Sequence, residues 1–358
     1  MGKMILTCTD IKNFRSCQMK YNARTNMELA SKTVSPAIGF GRLWHGVMER
    51  WYTPPGSPLH MSTDPERRKA EVLMYIDVAC INRDTNPEAQ KNRNLAIAMF
   101  KSYVKRYPTE PWTVVSVEQK FAVPLINPKS HRSSRLWEFW GVCDVLMELP
   151  EWPNAYWVME HKSARTIDTN YIERLPLDLQ VNGYAEAMSR FIGKPVIGVI
   201  YNAVTKKQLK QREGETEEEF QFRYAEACKK NKSGKSNVQQ QIAETDEEFQ
   251  ARLIEAYAAN PDELFYREPL LFDANDRRRV LEQVWQYSQQ ILMCRRKKCW
   301  TLNDDQCFAH GKQPCEYHML CRSGFNQAGL EARYEHKPAH TELYDDEDND
   351  DGDSNTAA

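Results

Sequence analysis

No stretch of the 358 residues comes near the roughly 20 consecutive apolar side chains that a membrane-crossing helix needs. The first residues, 1–11, also lack the long apolar core and small-residue cleavage site of a secretory leader, so the chain is expected in the cytosol. Nowhere does a glycine-rich loop run into Lys-Ser or Lys-Thr, which excludes the nucleotide-hydrolysing motor of a helicase from this chain. An imbalance of charge is missing too, at a formal net charge of -2. That near-balance conceals an acidic end, because residues 345–353 carry seven negative charges and leave a mildly basic body that can accept an anionic partner.

What is present is ordinary globular material: 41% hydrophobic and 27% charged residues exclude a fibrous or wholly disordered chain. The length can bury a sizeable core, in one large domain or two smaller ones. Ten cysteines are many for a reducing compartment, and Cys294, Cys299, Cys307, Cys315 and Cys321 crowd into the last fifth of the chain. There, such a cluster points to metal rather than to disulfides.

Residues 36–52 space Leu43, Val47 and Trp51 four apart, which predicts a half-buried helix with His45 in its early turns; a second helix is expected near 92–107. Three stretches rich in Val, Phe, Trp and Tyr follow, 113–125, 137–149 and 155–164, and predict an antiparallel meander. Beyond Pro176 comes a helix ending at Gly193, then a buried strand at 195–203. A polar region then carries an internal repeat: Glu215-Thr-Glu-Glu-Glu-Phe-Gln221 recurs as Glu244-Thr-Asp-Glu-Glu-Phe-Gln250, each copy suited to an N-capped helix with an acidic first turn. A flexible basic loop is expected at 229–236, and two copies are too few for a solenoid. A long helix over 275–298 ends in four basic residues. The expected layout is a core over 1–204, a helical insertion over 205–268, a C-terminal helix and cysteine region over 269–335, and a disordered acidic tail over 336–358.

The chemistry-bearing residues stand on the second and third predicted strands. Asp144 and Glu160 have fifteen residues between them, a spacing that neighbouring strands of a meander bring side by side. Because side chains alternate along a strand, Glu160 and Lys162 share a face and His161 looks away. Two carboxylates of this kind can hold Mg²⁺ or Mn²⁺ through hard oxygen ligands, with an ammonium near enough to orient water and offset phosphoryl charge. The same residues could also form a surface salt-bridge patch.

The order of motifs resembles the RecB-type branch of the PD-(D/E)xK nucleases, which includes AddB-like helicase-nucleases, nucleases of CRISPR spacer acquisition and many phage exonucleases. The resemblance covers roughly residues 8 to 203 and 300 to 322 and rests on Gly41-x-x-x-His45, Gly141-x-x-Asp144, Glu160-x-Lys162, Gln180-x-x-x-Tyr184 and the terminal cysteines. It implies an α/β (α+β) restriction-endonuclease-like core, a central mixed sheet flanked by helices, in a bacterial or phage-infected bacterial cell. It further implies that His45, Asp144, Glu160 and the main-chain carbonyl of His161 are metal ligands and that Lys162 is the catalytic lysine. Gln180 and Tyr184, one helical turn apart, would face the site. Glu118 stands where some relatives carry an additional acid.

In the resembling nucleases one early and three late cysteines hold a [4Fe-4S] cluster, which here implies Cys17, Cys307, Cys315 and Cys321. The spacing departs from the usual pattern, with Cys294 and Cys299 as substitutes, and tetrahedral zinc with His310 or His318 is the alternative. Cys8, Cys80, Cys143 and Cys228 are expected to be ordinary thiols. The expected activity is hydrolysis of DNA from an end, with a helicase, recombinase or strand-annealing protein as a partner in recombination, repair or phage DNA processing. A non-catalytic DNA-binding subunit and an endonuclease of the same superfamily are the rivals. Basic segments 206–212 and 229–235 could follow a phosphate backbone.

Overall fold

The alternating apolar residues of the chain's middle third assemble into one mixed sheet. In this computed structural model residues 2–32, 36–57, 62–82, 86–230, 235–309 and 314–344 are described. The sheet contains β1 (Met4–Leu6), β3 (Thr113–Ile126), β4 (Ser133–Glu148), β5 (Tyr156–Ala164), β6 (Val196–Thr205) and β7 (Phe265–Leu271), while β2 (Leu29–Ser31) pairs with β8 (Tyr334–His336). The helices are α1 (Cys8–Ser16), α2 (Gln18–Tyr21), α3 (Pro36–Tyr52), α4 (Pro65–Ala79), α5 (Pro87–Arg106), α6 (Thr169–Glu173) and α7 (Leu179–Ile192). They continue with α8 (Glu217–Lys230), α9 (Asp246–Ala259), α10 (Pro261–Leu264), α11 (Ala274–Lys297), α12 (His318–Arg322) and α13 (Gln327–Arg333). No helix of the described residues is long and apolar enough to cross a membrane.

Two apolar cores lie on the two faces of the sheet. Ile11 and Phe14 of α1, Met188 of α7 and Ile291 of α11 pack with Phe121, Phe139 and Val158 on one face. Trp44 and Val47 of α3, Ile76 of α4, Phe100 of α5 and Leu253 of α9 pack with Val145, Met147 and Met159 on the other.

The long strand β4 positions the site. Along one edge it pairs with antiparallel β3 almost throughout. Its other edge is shared, by parallel β1 over Trp137–Phe139 and antiparallel β5 over Val145–Glu148, so that edge is open between residues 140 and 144. Face alternation also slips here. Phe139 and Cys143 turn to the first core but Val145 to the second, and on β3 Phe121 and Val117 likewise part company. The slip on β3 falls at Glu118, whose φ of +44° is the left-handed conformation that non-glycine residues avoid.

The polar region expected to be inserted through 268 gives up its end to the sheet, since β7 pairs with β6 from Phe265 onwards. Arg267, Glu268 and Pro269 disguise this strand, and a proline is tolerated there because β7 is the sheet's edge. β1 is three residues long, too short to show a period of two. Residues 336–344, expected within the disordered tail, are ordered. His336 belongs to β8, Leu343 is buried, and the Tyr344 ring lies against Trp140 with its carbonyl accepting from Lys120 Nζ at 2.7 Å. Residues 345–358, which include the acidic run, the loop residues 231–234 and His310 lie outside the described residues.

Candidate active site

Asp144 is the next register position after the last pair of β4 and β5, Val145↔Met159, and therefore faces Glu160 across the opening between them. Its two carboxylate oxygens look in different directions. Oδ2 accepts the backbone N–H of His161 at 2.7 Å, and Oδ1 lies 3.4 Å from Nδ1 of His45, delivered by the half-buried helix α3. Glu118, opposite Asp144 on β3, completes a group in which ligand atoms of His45, Glu118 and Asp144 all lie within 4.8 Å of one another.

The electrostatics of this group are those of crowded anions. Burial first, then the charge of Asp144, pushes the Glu118 carboxyl up to about 8. Asp144 itself is buried, which opposes ionisation, yet the His45 imidazolium holds it well below the usual carboxylate range. Reciprocally, Asp144 pushes His45 up to about 9. Without a cation, one proton on His45 and partial protonation of Glu118 relieve the repulsion. A hard divalent ion would do the same through the same donors, so the residues fit such an ion.

Glu160 stands just across the gap, 1% exposed, and burial pushes it up to about 7 in spite of its Lys162 neighbour. Its Oε1 is taken by the Lys162 ammonium and, at 2.7 Å, by the Gln180 side-chain amide from α7. Its Oε2 is buried with no hydrogen-bond partner among the described residues, a second donor atom suited to a cation. Burial alone would lower Lys162, but Glu160 and Asp144 outweigh it and keep the ammonium charged. An antiparallel residue directs its N–H and C=O to the same edge, so the His161 carbonyl faces the Asp144 side, as its N–H does.

Tyr184 enters as a packing ring, edge-on to Phe121 at 5.2 Å between centroids. Gly141 makes room for both: a Cβ there would meet Phe121 Cζ at 2.6 Å and Tyr184 Cε1 at 3.0 Å. The glycine is thus required by close approach and not by a special φ.

Behind the site lies a buried polar network that strand patterns did not reveal. The register aligns His161 with Asn202 on β6 and Asn202 with Arg267 on β7. Arg267 Nε donates to Asn202 Oδ1 at 3.0 Å, which leaves the Asn202 amide nitrogen to donate to His161 Nδ1 at 2.8 Å. The other arm of Arg267 pairs with Glu110 at 2.8 Å and reaches the Tyr103 hydroxyl at 2.5 Å, while the His161 ring stacks on Tyr52 at 5.2 Å. Burial pushes His161 down to about 3, so it stays neutral. The only sequence signal was a lone arginine between Tyr266 and Glu268, unreadable without the register.

The N-terminal helices and β2 meet the C-terminal cysteine region. Met19 N–H donates to Thr301 O at 3.2 Å, Asn303 Nδ2 to Ser16 O at 2.8 Å, and Tyr317 OH to Leu29 O at 2.6 Å. Cys17, Cys307 and Cys315 all act on Cys321, whose thiol burial and these neighbours push up to about 11. Four thiols gathered in one neighbourhood suit a cationic iron-sulfur or metal centre. Cys294 instead donates to Gln18 Oε1 at 3.5 Å and Cys299 is exposed. Cys8, Cys80 and Cys143 are buried.

A family model described as the PD-(D/E)XK nuclease superfamily matches residues 5–322. The chain belongs to that superfamily. The mixed sheet with helices on both faces is the fold of a PD-(D/E)XK nuclease, and the chain is a nuclease. No curated protein matches it. Among solved structures it is similar to one described as a putative exonuclease from Eubacterium rectale, at 9% identity and a TM-score of 0.44, over 89% of this chain and 92% of that one.

Proposed function

We propose that this PD-(D/E)XK nuclease is a metal-dependent DNA exonuclease. The observation that carries the proposal is the opening in β4's edge, with His45, Glu118 and Asp144 converging on one side and Glu160, Lys162 and Gln180 on the other. His45, Asp144, Glu118, Glu160 through Oε2 and the His161 carbonyl would hold Mg²⁺ or Mn²⁺. Such an ion, when bound, supplies Lewis acidity toward phosphoryl oxygens and acidifies water.

The chain's own groups do the rest. Glu160 keeps Lys162 charged at the mouth of the site, where its ammonium offsets negative charge developing on the scissile phosphate. Gln180 fixes the Glu160 carboxylate, and Tyr184, locked over Gly141, holds α7 against the strand that carries Asp144. Attack from an end is supported by the resemblance of Gln180-x-x-x-Tyr184 and the cysteine box to the RecB-type branch. Cys17, Cys307, Cys315 and Cys321 would hold a [4Fe-4S] cluster that ties the chain's two ends. Linear DNA is the substrate, and a helicase, recombinase or strand-annealing protein the partner, in a bacterial or phage-infected cytoplasm.

End-labelled linear DNA and covalently closed circles, single- and double-stranded, test this with Mg²⁺ or Mn²⁺. Loss of linear DNA alone, abolished by Lys162→Ala, is the expected result. Cutting of circles would establish an endonuclease, and the absence of any Lys162-dependent cutting would leave a DNA-binding subunit.

A further inference from the structure

The repeat in the polar region is a structural duplication with a pseudo-two-fold axis. The Glu215 N–H donates to Gln241 O, and its equivalent 29 positions on, the Glu244 N–H, donates back to Arg212 O, at 2.9 and 3.0 Å. Gln241 N–H meets the Glu215 carboxylate as Arg212 N–H meets that of Glu244. Arg223 clamps Glu215 and Gln239 O as Arg252 clamps Glu244 and Lys210 O. Each half opens with the same reciprocal Thr–Glu cap, Thr216 with Glu219 and Thr245 with Glu248. Gly214 and Ala243, also equivalent, meet at the axis, where a Cβ on the glycine would stand 2.8 Å from the Ala243 nitrogen.

The halves differ in what covers them. Helix α9 docks on α5, burying Phe249, Gln250 and Leu253, and Asn94 of α5 both donates to Asp246 and accepts from Gln250, each at 2.8 Å. The equivalents on α8 are Phe220, Gln221 and Tyr224, with Glu217 in place of Asp246, and no residue of α8 is buried. Gln221 and Glu217, which correspond to the two residues that grip Asn94, bond to each other instead at 2.7 Å.

We propose that this face of α8 is a docking site for a helix of another protein, one that carries two amide side chains a turn apart on its apolar stripe, as α5 carries Gln90 and Asn94. The equivalent face inside the chain names the occupant: α9 takes such a helix through the same residue types in the same order. A second copy does not supply it, because its α5 is already covered by its own α9. The likeness of the two halves in capping, clamp and residue type makes α8 a preformed surface, so binding requires no refolding of the insertion.

A fluorescein-labelled peptide of residues 86–107 is the probe, added to the full chain and followed by anisotropy. Saturable binding is expected, weakened at least tenfold by Gln221→Ala with Tyr224→Ala and unaffected by Phe222→Ala on the exposed opposite side. Asn94→Ala in the peptide should weaken it comparably and add little to Gln221→Ala, the coupling of two groups in contact. Unchanged far-UV circular dichroism of each variant keeps the comparison valid. Absence of saturable binding, or binding indifferent to Gln221 and Tyr224, overturns the proposal. So does a dimer of the full chain, detected by light scattering, that Tyr224→Ala dissociates.

Discussion

His45 Nδ1 lies 3.4 Å from Asp144 Oδ1, and each holds the other charged: the imidazole is pushed up to about 9 while the carboxyl stays well below its ordinary range. A raised histidine stabilises the fold fully below its unfolded value of about 6.5, and that contribution is lost as pH rises through about 9. In chelator, the melting temperature of the native chain should therefore fall across this window relative to His45→Ala. Binding Mn²⁺ at neutral pH should release a proton, read by calorimetry in buffers of different ionisation enthalpy. Parallel melting profiles and no proton release would remove His45 from the ligand set.

Glu118 acts in the same direction with pH, for a different reason. Its carboxyl is pushed up to about 8 by burial and by Asp144, so folding holds a proton that the unfolded chain sheds, and stability falls as pH rises from about 4.5 to about 8. Glu118→Gln should raise the melting temperature in chelator at pH 8 while reducing the shift produced by Mn²⁺. Equal metal shifts in both proteins would show that Glu118 is no ligand.

Lys162→Ala should lower turnover by about 10² to 10³, the scale for one lost donor at a developing oxyanion. Its effect on DNA affinity should be small, since Lys162 is a single cation among many phosphate contacts. Binding in Ca²⁺ measured beside turnover in Mg²⁺ separates the two, and a loss confined to affinity would make Lys162 a DNA-binding residue only.

Gly141→Ala drives a methyl into Phe121 and Tyr184, with a cost on the overpacking scale of about 1–3 kcal/mol. Phe121→Leu should recover part of it. Denaturant unfolding of the single and double variants measures this, and additive losses would place the strain elsewhere.

Arg267→Ala strands Glu110, Asn202 and the Tyr103 hydroxyl inside the protein, a loss of about 3 kcal/mol or more, the scale for breaking one side of a buried pair. Arg267→Met with Glu110→Gln should be milder than Arg267→Ala alone. Equal unfolding midpoints for native protein and Arg267→Ala would contradict the buried network.

Local pattern was enough to make much of this legible. Period-two spacing put Glu160 and Lys162 on one face and turned His161 away, as the Gln180 contact and the Tyr52 stack bear out in geometry. The repeat at Glu215 and Glu244 was visible as text, and each copy begins a capped helix. These are properties of residues close in sequence, where backbone geometry fixes direction. Register and layering are not of that kind. That Asp144 opens onto a gap shared by β1 and β5, that Glu118 sits in a strained conformation opposite it, and that Arg267 reaches His161 through Asn202 all depend on which distant strands pair. Nor could two nearly identical heptapeptides reveal that α9 is covered by α5 and α8 by nothing comparable among the described residues. Burial is a property of the neighbour as much as of the helix, and only the assembled fold supplies the neighbour.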